Sequence, residues 1–362
     1  MDEHKSSYRS TLTRPSSIVG KSLLRENKWS QILHLFPTIV LLVVSIMKLP
    51  NIYNDIKTNR YNNVLIKYER IMNFIVYLSL SLVSLNYKYE SSYYIEFINL
   101  YQKITNTNYF GLFCNSYLIK WSKINKSIVL ILALSGLFVN LLFIGNRISL
   151  SEPISSLNLI FLIVVASFNV PLWFQILFEI CTFLQSTFLL LENSLVRLKK
   201  QTNQLNEFNV KSLRLLHVQI IESIIIINKF YRYNILSTYV YSVGHNVCLL
   251  GILSHSGQSI SKFPYYVKFI EQLFHLMLIT FHMVRVNQLS VRVFDRVYKL
   301  SLSLNSSHST ATMNEINLFL LRIHRNDVGF TFAGLCLIAP SFISSLASIA
   351  LTIGLALPSL VE

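Results

Sequence analysis

Charge is scarce in this chain. Only 14% of its 362 residues are Asp, Glu, Lys or Arg, against 52% that are hydrophobic. A soluble domain carries about 25% charged residues, so an ordinary water-facing surface is excluded. The four cysteines, Cys114, Cys181, Cys248 and Cys336, lie in separate segments with no metal-like spacing and no disulfide framework. They read as small packing residues. The nine histidines form no ligand cluster, so no metal or other cofactor is expected. The sequence has no Walker loop, nucleophile elbow or HExxH, and no enzymatic activity is expected. The first 30 residues are polar and basic, without the short apolar core and cleavage site of a leader. The first apolar run is therefore expected to serve as its own insertion signal.

What is present is a series of long apolar runs: 31–49, 68–86, 127–145, 157–191, 233–253, 265–284 and 328–358. Several approach or exceed the roughly 20 residues that a bilayer-crossing helix needs. The run 157–191 has two readings: one long helix, or two short ones hinged at Asn169-Val170-Pro171. Basic residues decide between them. One long helix with a cytoplasmic N-terminus puts 24 Lys and Arg inside and 8 outside; a hairpin puts 13 inside and 19 outside. Cytoplasmic loops hold the excess of Lys and Arg, so the single helix is preferred.

The expected fold is all-α and polytopic, with seven transmembrane helices, a cytoplasmic N-terminus, an extracellular C-terminus and long cytoplasmic helix extensions. That sense is opposite to a G-protein-coupled receptor. Nor is there an Asp-Arg-Tyr at the inner end of the third span, or an Asn-Pro-x-x-Tyr in the seventh. The sequons at Asn125 and Asn305 both fall on the predicted cytoplasmic side, where they would stay unmodified. The net charge of +15 lies mostly beside spans on one side, which fits anionic inner-leaflet lipid and excludes nucleic acid as a partner.

Residues 1–30 form a cytoplasmic N-terminal segment and 31–358 the transmembrane domain. Between 188 and 236 there is no Pro or Gly, while apolar residues recur at helical spacing, as in Leu195, Leu198, Leu205, Leu213, Leu216, Ile220 and Ile224. An amphipathic extension of this kind needs another apolar surface, on its own chain or on copies of itself about a symmetry axis. A second cytoplasmic helical region is expected over 285–335.

The stretch Leu213-Arg214-Leu215-Leu216-His217, followed by Asn228 eleven positions after the histidine and then by Phe230 and Tyr231, is similar to the cytoplasmic helix before the fifth span of insect gustatory receptors. Those proteins also close with Phe-Thr-x-x-Gly-Phe-Phe, a run of small and apolar residues, then Thr-Tyr and Gln-Phe. Here Phe330-Thr331-Phe332-Ala333-Gly334-Leu335-Cys336 matches the opening, and Thr352 falls on the family threonine. Ile353, Ser359 and Leu360 replace the signature tyrosine, glutamine and phenylalanine, and Ala339-Pro340 stands where a polar residue is usual. The chain therefore resembles a divergent, gustatory-receptor-like member of the insect chemoreceptors.

The resemblance implies a chemosensory ligand-gated cation channel subunit in the plasma membrane. It implies a homotetramer, or a heterotetramer with related subunits, whose last helix, 341–358, lines the pore. Ser345, Ser348, Ile349 and Thr352 are the pore-lining candidates; the same small residues equally suit plain helix packing. Pro340 is expected to kink or break the last span and separate an inner half from the pore half. Other readings are a non-conducting partner and a secondary transporter, though transporters usually show internal duplication and none is visible.

Ionisable groups inside spans are costly and mark function by default. Lys268, Glu271, His275 and His282 share one helix face, and Asn234, Thr238, Tyr241, His245 and Cys248 share another. Tyr241, His245, Glu271 and His275 are the candidates for binding a small-molecule ligand, with Tyr241 and Phe274 as aromatic walls. Alternatively, Lys268 snorkels to the interface with Glu271 as its ion pair, and the histidines bond neighbouring helices.

Overall fold

The computed structural model describes residues 15–57, 64–106, 112–145, 153–200, 205–255, 262–304, 309–323 and 328–361. Its helices are α1 (Ile18–Leu23), α2 (Lys28–Lys57), α3 (Val64–Tyr89), α4 (Ser91–Thr105), α5 (Leu112–Gly145), α6 (Pro153–Lys200), α7 (Glu207–His255), α8 (Phe263–Ser301) and α9 (Thr310–Ile323). A short antiparallel hairpin, β1 (Thr331–Phe332) and β2 (Cys336–Leu337), precedes the last helix, α10 (Pro340–Val361).

Helix α6 is continuous for 48 residues and runs straight through Pro171. The hinged alternative at Asn169-Val170-Pro171 is not what forms. At 1.5 Å per residue, α6, α7 and α8 are about 58–74 Å long. A hydrocarbon core is only about 30 Å thick, so each must project well beyond one. Described stretches of α2, α5, α6 and α8 are apolar and long enough to cross a membrane by length and composition.

α6 is the central pillar and packs against α5, α8, α2 and α7. Every side chain from Ile176 to Phe188 is buried, so this part of α6 is enclosed on all sides. Polar side chains link the helices where their apolar surfaces meet. Thr38 bonds Ser84 at 2.7 Å, Asn140 donates to Ser167 at 3.0 Å, and Tyr239 bonds Thr280 at 2.7 Å. Such links join α2 to α3, α5 to α6 and α7 to α8.

Beyond the apolar stretches, α4 and α9 pack on the projecting parts of α7 and α8. Aromatic rings fill this region. Tyr101 stacks on Phe183 with ring centroids 4.6 Å apart, and Phe230 contacts Tyr87, Tyr94 and Tyr231 at 5.0–5.6 Å. Burial, with Glu179 nearby, holds the Tyr94 phenol well above its ordinary range, so it stays neutral.

Two features differ from the sequence-based expectations. The breaker-free stretch 188–236 belongs to two helices, α6 ending at Lys200 and α7 beginning at Glu207, where Asn206 caps α7 by accepting the Asn209 N–H on its side chain at 2.9 Å. The seventh apolar run is not helical from 328. It opens with the hairpin, and of the expected kink or break Pro340 makes the break by starting α10, as suits a residue without an N–H in a first turn.

The N-terminal segment docks into the bundle from Pro15 onward. Ser16 N–H, Ser17 N–H and the Ser17 hydroxyl all donate to the buried Glu179 carboxylate. The Asn125 side chain is buried, and its amide donates to Thr182 at 2.9 Å and to the Phe178 carbonyl, which suits a sequon that stays unmodified. The Asn305 sequon lies outside the described residues.

Candidate ligand pocket and pore helix

Five helices, α3, α5, α6, α7 and α8, line a partly open cavity of about 120 Å³. The α8 wall supplies Lys268, Glu271, Gln272 and His275, and the α7 wall supplies Thr238, Tyr241 and Ser242. Across from them stand Ser167, Trp173 and Phe174 of α6, Gly136 and Asn140 of α5, and Ser79 of α3. Hydroxyls, amides and one ion pair thus share the lining with three large aromatic rings, the mixture that small-molecule sites usually show.

Lys268 Nζ donates to Glu271 Oε2 at 2.8 Å, and both side chains are largely shielded, 16% and 6% exposed. The pair is neutral as a unit, which is how charge is tolerated away from water. Glu271 Oε1 points the other way. It would lie 3.3 Å from a Cβ placed on Gly136, so the glycine leaves room for the carboxylate at the cavity edge. His275 Nε2 is 4.0 Å from Oε1, buried, and has no hydrogen-bond partner among the described residues. The His275 ring lies 5.2 Å from that of Phe174.

Three of the four residues singled out for ligand binding, Tyr241, Glu271 and His275, come together on this cavity. His245 does not line it. It sits one turn further along α7, buried, with its ring 5.4 Å from Tyr241. Phe274 is no wall either, since it lies on the outer face of α8 and is 49% exposed. Trp173 and Phe174, beside Pro171, take that role. Their only sequence signal is a pair of large rings next to a proline in an apolar run. His282 shares the helix face of His275 but packs elsewhere, stacked on Phe178 at 4.3 Å and edge-on to Trp121.

The pore candidates Ser345, Ser348, Ile349 and Thr352 are all exposed on α10. The hydroxyls of Ser345, Ser348 and Thr352 donate to carbonyls one turn back in their own helix, at 2.8–3.2 Å. Helix α10 packs on α7, where Phe342 meets Tyr239 edge-on at 5.3 Å. The backbone at Ile353, Ser359 and Leu360 is helical; their side chains lie outside the description.

The two sequence blocks that carry the gustatory-receptor resemblance meet in space. Asn228 donates to the Gly329 carbonyl at 2.9 Å and accepts the Thr331 N–H at 3.2 Å, holding the hairpin by its backbone. Asn287 donates to the Val328 carbonyl at 3.0 Å. His217 packs against Phe319 at 5.4 Å, and Arg214 pairs with Glu315 at 2.8 Å. At the hairpin tip Ala333 and Gly334 both have positive φ, 55° and 77°, and Leu335 N–H bonds the Phe332 carbonyl. That is the geometry of a type I′ turn.

No sequence-family model matches the chain, and no curated protein matches it by sequence. Solved structures do. The insect olfactory receptor OR5 from Machilis hrabei in complex with eugenol superposes with a TM-score of 0.72, covering 99% of each chain at 12% identity. A second structure of the same receptor gives 0.66, covering 91% of this chain and 89% of that one at 13% identity. The chain is α-helical, four of its described helices are apolar and long enough to cross a membrane, and over 99% of its length its fold is that of this insect olfactory receptor.

Proposed function

We propose that this protein is a chemosensory receptor subunit of the insect chemoreceptor kind, gustatory-receptor-like, in which a small molecule bound in the cavity gates a cation pathway. The observation that carries the reading is the cavity itself. It lies among five helices of a fold shared end to end with a receptor solved in complex with the small molecule eugenol. In this proposal seven spans cross the plasma membrane with the C-terminus outside, and the cavity sits in the outer half. Four subunits, identical or related, surround an axis lined by α10, with Ser345, Ser348, Ile349 and Thr352 toward it. The exposure of that α10 face supports this placement. The replacements Ile353, Ser359 and Leu360 favour a second reading, a partner subunit that conducts only in company or not at all.

Patch-clamp recording from cells expressing the chain alone, and with a related subunit, tests the channel. Ligand-evoked cation current that Gly136→Trp abolishes, with surface expression retained, is the expected result. Ligand binding without current in either setting would leave the partner reading and remove the channel. An epitope after Glu362 that stains only in permeabilised cells would overturn the orientation.

A further inference from the structure

We propose, resting on the pocket reading above, that the cavity takes an uncharged single-ring molecule held by one hydroxyl group between Glu271 and His275. Three observations converge on this ligand class.

The first is a pair of polar atoms on two residues that line the cavity. Glu271 Oε2 is occupied by Lys268, while Oε1 and the partnerless His275 Nε2 stand 4.0 Å apart. One oxygen placed about 2.8 Å from each satisfies both at ordinary hydrogen-bond lengths. A hydroxyl fits because it donates and accepts at once. It gives its proton to the carboxylate and accepts the N–H of the histidine in its Nε2 tautomer.

The second is charge balance. Lys268 already neutralises Glu271, so a ligand ammonium would add a net positive charge to a shielded site, and a carboxylate a net negative one. Either is expensive away from water. A hydroxyl adds none.

The third is size and shape. The cavity of about 120 Å³ is close to the roughly 150 Å³ that holds benzene in an engineered protein core. Trp173 and Phe174 supply the ring faces, and Phe174 lies directly beside the His275 end. The ring of the ligand therefore lies against α6 and its hydroxyl points to α8.

The test uses the purified full-length chain in lipid nanodiscs and four probes on one core: 2-phenylethanol, its methyl ether, ethylbenzene and 2-phenylethylamine. Thermal stabilisation titrated against each probe reads binding. The alcohol is expected to bind about ten- to hundred-fold tighter than the ether or hydrocarbon, because those leave buried polar atoms unpaired. The amine is expected to bind more weakly than the alcohol. His275→Leu should erase the alcohol's advantage while ethylbenzene still binds, which also shows that the variant is folded. The neutral double variant Lys268→Met with Glu271→Leu should do the same.

Equal binding of alcohol and hydrocarbon to the wild type overturns the hydroxyl clamp and leaves the pocket intact. Tightest binding by the amine overturns it through charge. If no probe binds, or if Gly136→Trp binds all of them as well as the wild type, the pocket reading falls and the clamp with it.

Discussion

Two consecutive parts of α6 are built differently. From Ile176 to Phe188 the helix is wrapped on every side by neighbours, and its rings stack on Tyr101 and His282. One turn earlier, around Val170 to Phe174, the same helix borders open volume lined with hydroxyls, amides and an ion pair. The first part is a core closed by shape. The second keeps a space that close-packed interiors ordinarily fill. One helix thus joins a rigid block to an adaptable wall, and the contrast locates stability in one and binding in the other.

The contrast is sharpest for two phenylalanines one turn apart. Phe178→Ala, in the enclosed part, should lower unfolding stability by about 4 kcal/mol, the usual cost of deleting a buried ring. Phe174→Ala, whose ring already borders the cavity, should cost only about half as much and enlarge the pocket. Thermal and denaturant unfolding of the purified variants measures both. Equal losses would erase the distinction between the two parts of the helix.

Asn228→Ala removes both backbone bonds to the hairpin and should cost about 2 kcal/mol. Hydrogen exchange should then quicken over 328–338 while α6 stays protected. Ala333→Gly should stabilise by about 1 kcal/mol, since a left-handed turn position is costly for any residue with a Cβ. Its expected signature is a small rise in melting temperature. Smallest of all is Arg296→Ala. This side chain is 42% exposed where it pairs with Glu192, so its loss should change stability by less than about 1 kcal/mol. A larger effect would show that the projecting helices depend on charge more than on their aromatic packing.

Much of the helical layout was readable in advance. Basic residues selected a continuous fourth helix through Pro171, and α6 runs through it. Helical spacing also put Lys268, Glu271 and His275 on one face, which borders the cavity. The failures are local and have physical causes. Phe274 is next to His275 in sequence and so is turned about 100° away from it round the helix, where it is exposed. His245 is one turn beyond the cavity, a depth that periodicity does not report. Residues 328–339 are apolar enough to read as part of a span. Yet their backbone bonds are supplied by Asn228 and Asn287 from other helices, and a hairpin forms. The start of α7 was hidden because Asn206, and not a glycine or proline, marks it.

By itself the sequence determined the solvent this protein folds in, the helical repeat of its segments and the pairs of side chains that share a helix face. Those properties rest on hydrophobicity and on neighbours three or four positions apart. Only the tertiary structure decided which five helices surround the cavity, that Trp173 and Phe174 form its wall, and that Asn228 grips a hairpin 101 residues downstream. Such contacts join parts of the chain whose separation carries no periodic signal, and they exist only once the helices have packed.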